Sequence, residues 1–408
     1  PARAAAARAA TPVTGPASRS LTAWLLAAVL AAGLLAAPGT ATAVLDPGPA
    51  PLLQSPPEGW PRAIGVEAAS YLLLDVQTGQ VLTERDGDTR RPVASTIKVL
   101  TALTALERAA LDEEVTIGDE VLDVAGSSAG LEPGQVWTIE ELVEALIARS
   151  GNEAAEAIAV HVAGSREAYL RLMEQDAAAL GVEGLELVSV SGLDDGNLLS
   201  ARDLALLSAA GLEHPELGPI LGRELVSLPG QGALLSRNEL LGSYPGATGV
   251  KTGFTDAAGY SLVGSAERDG REVVAVVLGA GADPARFEIA TRLLDLGLDA
   301  YEPRTLSTRV HFSLAGGGVD VVVDELELVV PVGDEAQLDL PITPRPPSSD
   351  LDVPLRVADQ EIAEVTATLD PSGAPAEVAD TTTALGRAAV DGAYAALRAR
   401  AAAAGDGG

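Results

Sequence analysis

Hydrophobic positions change their spacing along this chain, and each change marks a different kind of element. From Ala68 to Asp75 the apolar residues run almost unbroken, which predicts a buried strand. Gln77-Thr78-Gly79 turns it into a second strand, Gln80 to Glu84, giving an antiparallel hairpin. After Arg91-Pro92 the period lengthens. Ile97, Leu100, Leu103 and Leu106 mark one helical face, while Val99, Ala102 and Ala105 leave little polar surface on the others. A helix apolar nearly all round belongs inside a domain.

Residues 111 to 137 predict loops and short strands. Thr138-Ile139-Glu140-Glu141 is a capping box, and Leu142, Ala145 and Leu146 carry a helix on to Arg149. Ser150-Gly151-Asn152 breaks it before a helix from Glu153 to Val162 that Gly164 stops. Helical patterns follow at Arg166 to Leu180 and Ala201 to Ala210, with Ser191 to Gly196 as a loop between them. Gly246 to Thr255, Gly259 to Ala266 and Arg271 to Leu278 predict strands, and Arg286 to Leu296 a last helix. Remote hairpins can pair in an antiparallel sheet, so residues 62–300 predict one α+β domain, an antiparallel sheet flanked by helices. Beyond it the texture is that of a small all-β domain over residues 301–370. Its strands are expected at Val319 to Val323, Leu326 to Val332, Leu338 to Ile342, Val353 to Val357 and Ile362 to Leu369.

The two ends differ from both. Arg3, Arg8 and Arg19 precede an apolar run, Leu21 to Ala37, and then Pro38 to Ala43 ending Ala-x-Ala. That is the order of a secretory signal over residues 1–43 with cleavage after Ala43, and an uncleaved anchor is the competing reading. The chain is expected to be exported, to the cell wall or the outer face of the cytoplasmic membrane. Residues 44–61 are a Gly, Pro and Leu linker, and 371–408 an Ala-rich tail with a weak helix near Thr383 to Ala403 and no second apolar span.

Composition narrows the chemistry. The chain has 408 residues, 47% of them hydrophobic, and a formal charge of −31, which argues against nucleic acid or an anionic membrane surface as partner. It contains no cysteine, so disulfides, thiolate metal sites and a cysteine nucleophile are excluded. His161, His214 and His311 lie far apart without ligand-like spacing, so neither a metal nor a Ser-His-Asp triad is expected, and no cofactor is implied.

The 27 Lys and Arg residues include just two lysines, Lys98 and Lys251. A guanidinium stays charged, whereas an ammonium can be desolvated, lose its proton near neutral pH and act as a base. Ser95 stands three residues before Lys98 at a predicted helix start, where the amine can reach the hydroxyl and backbone N–H groups await an oxyanion. Ser-x-x-Lys alone is a common coincidence, with the serine a cap and the lysine a solvated charge. The break at Ser150-Gly151-Asn152 can project a hydroxyl and an amide into a cleft, although by itself it is no more than a turn. Lys251-Thr252-Gly253 opens a hairpin whose small residues let a substrate backbone lie alongside.

Ser95-Thr96-Ile97-Lys98, Ser150-Gly151-Asn152 and Lys251-Thr252-Gly253, in this order, resemble the three-motif set of penicillin-binding proteins and serine β-lactamases. The wider context is similar to the low-molecular-mass D-alanyl-D-alanine carboxypeptidases: Gly130 to Gly134, Ser191-Gly192-Leu193, Ser200 to Leu204 and Gly249 to Tyr260. The resemblance implies a serine D,D-carboxypeptidase that trims the terminal D-alanine from peptidoglycan stem pentapeptides and is acylated by penicillin. Ser95 would attack, Lys98 would take its proton, and Ser150 with Asn152 would relay protons and hold the substrate amide. The backbone N–H groups of Ser95 and Phe254 would form the oxyanion hole, Lys251 and Thr252 would receive the substrate's carboxylate with help from Arg286, and Gly253 would bind substrate beside them. Gly151 stands where class A β-lactamases have Asp, so their fast deacylation is not implied. A D,D-endopeptidase, a β-lactamase and a non-catalytic wall-binding protein are the alternatives. Nothing in the sequence sets the oligomeric state.

Overall fold

The computed structural model describes residues 65–314 without a break, together with 41–44, 55–56, 59–63, 317–334, 336–338, 343–344, 350–357 and 360–368. The apolar run Leu21 to Ala37 and the tail helix expected near Thr383 to Ala403 lie outside the described residues, as does most of the linker.

Five strands form the central sheet: β1 (Ser70–Asp75), β2 (Val81–Arg85), β3 (Ala247–Thr255), β4 (Gly259–Arg268) and β5 (Arg271–Ala280). All pairings are antiparallel, in the order β3-β4-β5-β1-β2. The N-terminal hairpin therefore docks on the C-terminal strands, with Leu72 opposite Val276, and β3 is left at the edge.

The unbroken apolar character of β1 and β5 has a direct cause, because both faces of the sheet are covered. Leu72, Leu74, Val274 and Val276 point into a large helical core, while Tyr71, Leu73, Val273, Ala275 and Val277 point into a second one. In the large core lie α1 (Lys98–Leu106), α2 (Ile139–Ala148), α3 (Asn152–Ala163), α4 (Arg166–Ala179) and α5 (Ala201–Glu213). The second core is closed by α6 (Asp283–Asp299) through Ile289, Ala290, Leu293 and Leu294. Every residue of α1 is buried, so its chain entropy is repaid by packing alone.

Local sequence sets the helix ends. Thr138 and Glu141 form the expected capping box, Ser200 and Asp203 a second one at α5, and Gly164 ends α3 at φ 72°. Two details differ from the sequence reading. The turn carrying Ser95 is a short 3-10 helix, Ala94–Ile97, ahead of α1, and α6 begins three residues before Arg286, at Asp283 with Pro284 in its first turn.

Beyond α6 the β-rich strands pair antiparallel with one another, Ala41–Val44 lies parallel to the strand Gly317–Pro331, and the first part of the region is longer than expected. Val319 to Val323 and all but the last residue of Leu326 to Val332 fall in one strand, Gly317–Pro331, paired with Tyr301–Leu314. Asp324-Glu325 supplies charge but no turn residue, and a register shift between Leu306 and Thr308 absorbs the irregularity. The strands Asp350–Val357 and Gln360–Thr368 pair as a hairpin. Leu328, Val329, Val330 and Tyr301 join the second core, and the Tyr301 hydroxyl donates to the Leu82 carbonyl at 2.7 Å.

Because Leu73 is fully buried between the sheet and α6, Leu73→Ala is expected to cost about 2–5 kcal/mol in urea unfolding. A loss under about 1 kcal/mol would show that α6 does not pack on the sheet as described.

Candidate active site

The three motifs lie on three different elements that meet at one end of α1. Ser95 sits in the 3-10 turn, Asn152 opens α3, and Lys251 to Gly253 lie on the edge strand β3. Gly253 shows why this edge needs glycine. A Cβ there would lie 3.0 Å from the Val93 carbonyl oxygen and 3.2 Å from the Ser95 nitrogen, so only a bare Cα lets the edge strand close on the Ser95 turn. The backbones of the first and third motifs are thus in contact.

Two backbone conformations disfavoured for side-chain-bearing residues flank the site. Ala94 has φ 51° and Ser150 has φ 61°, each a cost of roughly 1–2 kcal/mol that the surrounding packing must hold in place. Gly192 packs on the Ala94 carbonyl so closely that no Cβ fits between them, and Gly192 itself has φ 73°. Ser150 is buried at the break between α2 and α3, beside Asn152.

Lys98 is fully buried and its Nζ has three neighbours: Ser95 Oγ at 2.8 Å, Asn152 Oδ1 at 2.7 Å and the Ser191 carbonyl oxygen at 2.6 Å. The Asn152 amide is oriented by its other end, where Nδ2 donates to the Ala125 carbonyl at 2.7 Å. Asn152 Oδ1 and the Ser191 carbonyl can only accept, so they claim two N–H bonds of the amine. The third position faces Ser95. In the ammonium it carries a proton, and in the neutral amine it is the lone pair, aimed at the serine hydroxyl.

The neutral form is within reach. Burial is the main cause that lowers Lys98 from its ordinary 10.5 to about 7, with Glu153 raising it, Arg237 lowering it and Glu156 raising it. Lys251 is also buried. Desolvation, followed by the cations Lys98, Arg237 and Arg286, pushes it well below its usual range. Its Nζ donates to the Thr252 carbonyl at 2.9 Å. Lys98, Arg237 and Arg286 all disfavour the charged form of Lys251, and an entering carboxylate would favour it.

An open cleft of about 320 Å³ is lined by Ser95, Ser127, Asn152, Leu193, Arg237 and Phe254, among others. Phe254 is about half exposed, with its ring 4.4 Å from that of Tyr260. Arg286 does not line this cleft. Its Nη1 donates to the Gly253 carbonyl at 3.0 Å, its guanidinium pairs with Asp283, and the Tyr260 and Phe287 rings lie against it at 5.6 and 4.9 Å. It therefore bears on the site through the backbone of the third motif and through its charge.

Sequence reasoning missed three contributors. Arg237 lies in the cleft wall and donates to Ser127 Oγ at 2.8 Å, with no motif spacing to announce it. The Ser191 carbonyl belongs to a segment that carries part of the family resemblance without a role attached to it, in a loop locked by Asn197, whose Oδ1 accepts from Val188 and Ser189 and whose Nδ2 donates to the Ser189 carbonyl. Glu153 accepts from Ser128 Oγ and from the backbone N–H groups of Ala129 and Gly130, pinning the segment at the cleft rim. Its place immediately after Asn152 was the available signal. His161 pairs with Glu113, and His214 Nδ1 accepts from the N–H groups of Glu216 and Leu217. Among the described residues no group of His, Cys, Asp or Glu could hold a metal ion.

A half-buried serine hydroxyl held against a fully buried lysine at the end of a core helix, with a lysine-bearing edge strand packed on the serine's turn beside an open cleft, is the arrangement of a serine acyl-transfer enzyme. The family model for D-alanyl-D-alanine carboxypeptidases matches residues 57–282, and the chain belongs to that family of serine-type peptidases. It is 35% identical over 244 residues to the D-alanyl-D-alanine carboxypeptidase DacB2 of Mycobacterium tuberculosis, covering 56% of this chain and 82% of that protein. With DacF of Bacillus subtilis it shares 31% identity over 255 residues, 60% of this chain and 65% of the relative. Among solved structures, the D-alanyl-D-alanine carboxypeptidase DacD from Francisella tularensis superposes with a TM-score of 0.68 at 25% identity, over 78% of this chain and 96% of that one. Penicillin-binding protein D2 from Listeria monocytogenes in its ampicillin-bound form gives 0.53 at 32% identity, over 58% and 100%.

The charges around Lys98 give a prediction with a sign. The rate of Ser95 acylation by a β-lactam is expected to rise with pH through about 7 as the amine loses its proton. Glu153→Gln removes a negative charge that holds that proton and should move the midpoint to lower pH; Arg237→Gln should move it higher. Stopped-flow acylation across pH checks both, and midpoints that stay put in both variants would mean that Lys98 is not the titrating group.

Proposed function

We propose that this chain is a serine D,D-carboxypeptidase whose nucleophile is Ser95 and whose base is Lys98, acting on the D-Ala-D-Ala end of peptidoglycan stem pentapeptides. The observation that carries the assignment of the base is the three-way placement of Lys98 Nζ, with two fixed acceptors and the serine hydroxyl. Ser95 Oγ attacks the carbonyl carbon between the two D-alanines while its proton passes to Lys98. The developing oxyanion is received by the N–H groups of Ser95 and Phe254, a role supported by the contact of Gly253 with the Ser95 turn. As the C–N bond breaks, Lys98 returns the proton to the departing D-alanine nitrogen, with Ser150 and Asn152 beside the path. Water then adds to the ester, giving a proton to Lys98, and the Oγ–C bond breaks as Ser95 recovers its hydrogen.

Lys251 and Thr252 receive the terminal carboxylate of the substrate, with Arg286 supplying charge through the Gly253 carbonyl. β-Lactams acylate the same serine, a reading supported by the ampicillin- and cefotaxime-bound forms of the Listeria relative. Export across the cytoplasmic membrane is part of this reading and rests on the arginine-flanked apolar run Leu21 to Ala37.

The test is D-alanine release from a peptide ending in D-Ala-D-Ala. Wild type should release it, and Ser95→Ala and Lys98→Met should each lower kcat/KM by at least about 10³-fold. After incubation with penicillin, mass spectrometry should place the adduct on Ser95. An adduct elsewhere, or full activity in Ser95→Ala, would refute the assignment. Cleavage of purified cross-linked dimers in preference to pentapeptides would make the enzyme an endopeptidase using the same residues.

A further inference from the structure

One loop touches each part of the site and then reaches past it. In residues 191–195 the Ser191 carbonyl accepts from Lys98 Nζ at 2.6 Å, Gly192 packs on the Ala94 carbonyl beside Ser95, and Leu193 lines the cleft. A Cβ at Gly126 would meet both Leu193 Cδ1 and Asn152 Nδ2, so Leu193 stands next to the second motif. Two residues on, Asp195 Oδ1 accepts from Thr255 Oγ1 at 2.5 Å, at the last residue of β3. The same short segment thus bears on the base, the nucleophile's turn, the second motif and the end of the third-motif strand.

An edge strand needs such a tie. β3 is laddered on one side to β4, and its other side meets the Ser95 turn. There Gly253 approaches the Val93 carbonyl and the Ser95 nitrogen by van der Waals contact, which limits how near the strand can come but not how far it can drift. The Thr255–Asp195 bond adds a directional restraint one residue after Phe254. Both of its ends are themselves held. Thr255 Oγ1 also accepts from the Ala258 N–H at 3.1 Å, in the turn to β4. On the loop side Asp194 Oδ1 accepts from the Gly196 N–H at 2.9 Å, and the Asn197 amide locks Val188 and Ser189.

From this geometry we infer that Asp195 is a positioning residue: through Thr255 it fixes the end of β3, and with it the Phe254 N–H, relative to Ser95. This rests on the reading of the Ser95 and Phe254 N–H groups as the donors to the oxyanion. Such a donor acts only where it is aimed at the atom that becomes charged, so drift of the strand slows the chemical steps and leaves ground-state binding nearly unchanged. The donor serves formation of the acyl-ester and its hydrolysis alike, so kcat responds whichever step is slower. Asp195 does not itself line the cleft, whereas Thr255 does.

Substitutions at either end of the bond test it. Asp195→Ala and Thr255→Val remove it, whereas Asp195→Asn keeps an acceptor oxygen and Thr255→Ser keeps the hydroxyl. D-alanine release from a peptide ending in D-Ala-D-Ala gives kcat and KM, and stopped-flow reaction with nitrocefin gives the acylation rate and its pH midpoint. Asp195→Ala and Thr255→Val should each lower kcat and the nitrocefin rate about fivefold or more, with KM changed less than about twofold. Asp195→Asn and Thr255→Ser should keep at least about half of the wild-type rates. The double variant Asp195→Ala/Thr255→Val should fall no further than Thr255→Val alone, because Asp195 acts through that hydroxyl. The pH midpoint should be that of wild type in every variant.

Asp195 is exposed, so Asp195→Ala is expected to fold, and urea unfolding checks it. Should Thr255→Val not fold, the comparison of Asp195→Ala with Asp195→Asn decides alone. A kcat for Asp195→Ala within about twofold of wild type, an equal loss in Asp195→Asn, a double variant that falls by the product of the two singles, or a loss confined to KM would each overturn the proposal. So would a moved pH midpoint in Asp195→Ala, because the residue would then act on Lys98 by charge rather than on β3 by its bond. Failure of wild type to release D-alanine would instead count against the carboxypeptidase reading, while the nitrocefin rates still decide whether Asp195 positions the strand.

Discussion

Removing an ammonium from water is the main electrostatic cost in this active site, and the elements around Lys98 are arranged so that it is met by the neutral form. The amine is fully buried at the start of a helix with no exposed residue, and its other two hydrogen-bond partners are a side-chain amide and a main-chain carbonyl, neither of which carries charge. A carboxylate in either place would have stabilised the proton. Between about 7 and 10.5 the unfolded chain holds a proton that the folded chain has released. This group therefore opposes folding fully below about 7, and the penalty is relieved as pH rises toward 10.5.

That constraint explains features far from the amine. Gly192 and Gly253 must lack side chains because two loops and a strand converge on a single helical turn. Asn197 spends its whole amide on the loop that delivers the Ser191 carbonyl. Even the sheet topology serves this end. Pairing the N-terminal hairpin with the C-terminal strands leaves the third motif on the free edge, where a peptide can lie beside it.

Much of this was legible in the sequence, for physical reasons that can be named. Side chains three apart on a helical turn must meet, and two lysines in an arginine-rich chain mark places where a removable proton is wanted. Unbroken apolar runs and period-3.6 patterns located the sheet and its helices, and Thr138 and Gly164 gave the limits of two of them. What stayed hidden depends on long-range packing. Arg237 reaches the cleft because its own N–H bonds to the Ala148 carbonyl, a contact between residues almost ninety apart that no local pattern encodes. Arg286 was legible as a cation after the last hairpin, but its bond to the Gly253 carbonyl needs the helix to be docked first. Val319 to Val323 and Leu326 to Val332 were separated at two acidic residues because charge and turn propensity look alike in a short window.

The protonation state of Lys98 is directly observable, because a chain with two lysines gives two lysine side-chain resonances. Titration of 13Cε-lysine-labelled protein by NMR, with Lys251→Gln used for assignment, measures it without reference to any substrate. The Lys98 resonance is expected to titrate near 7. A Lys98 resonance that titrates near the ordinary 10.5 would contradict it, since the amine would then hold its proton at neutral pH and could not take one from Ser95.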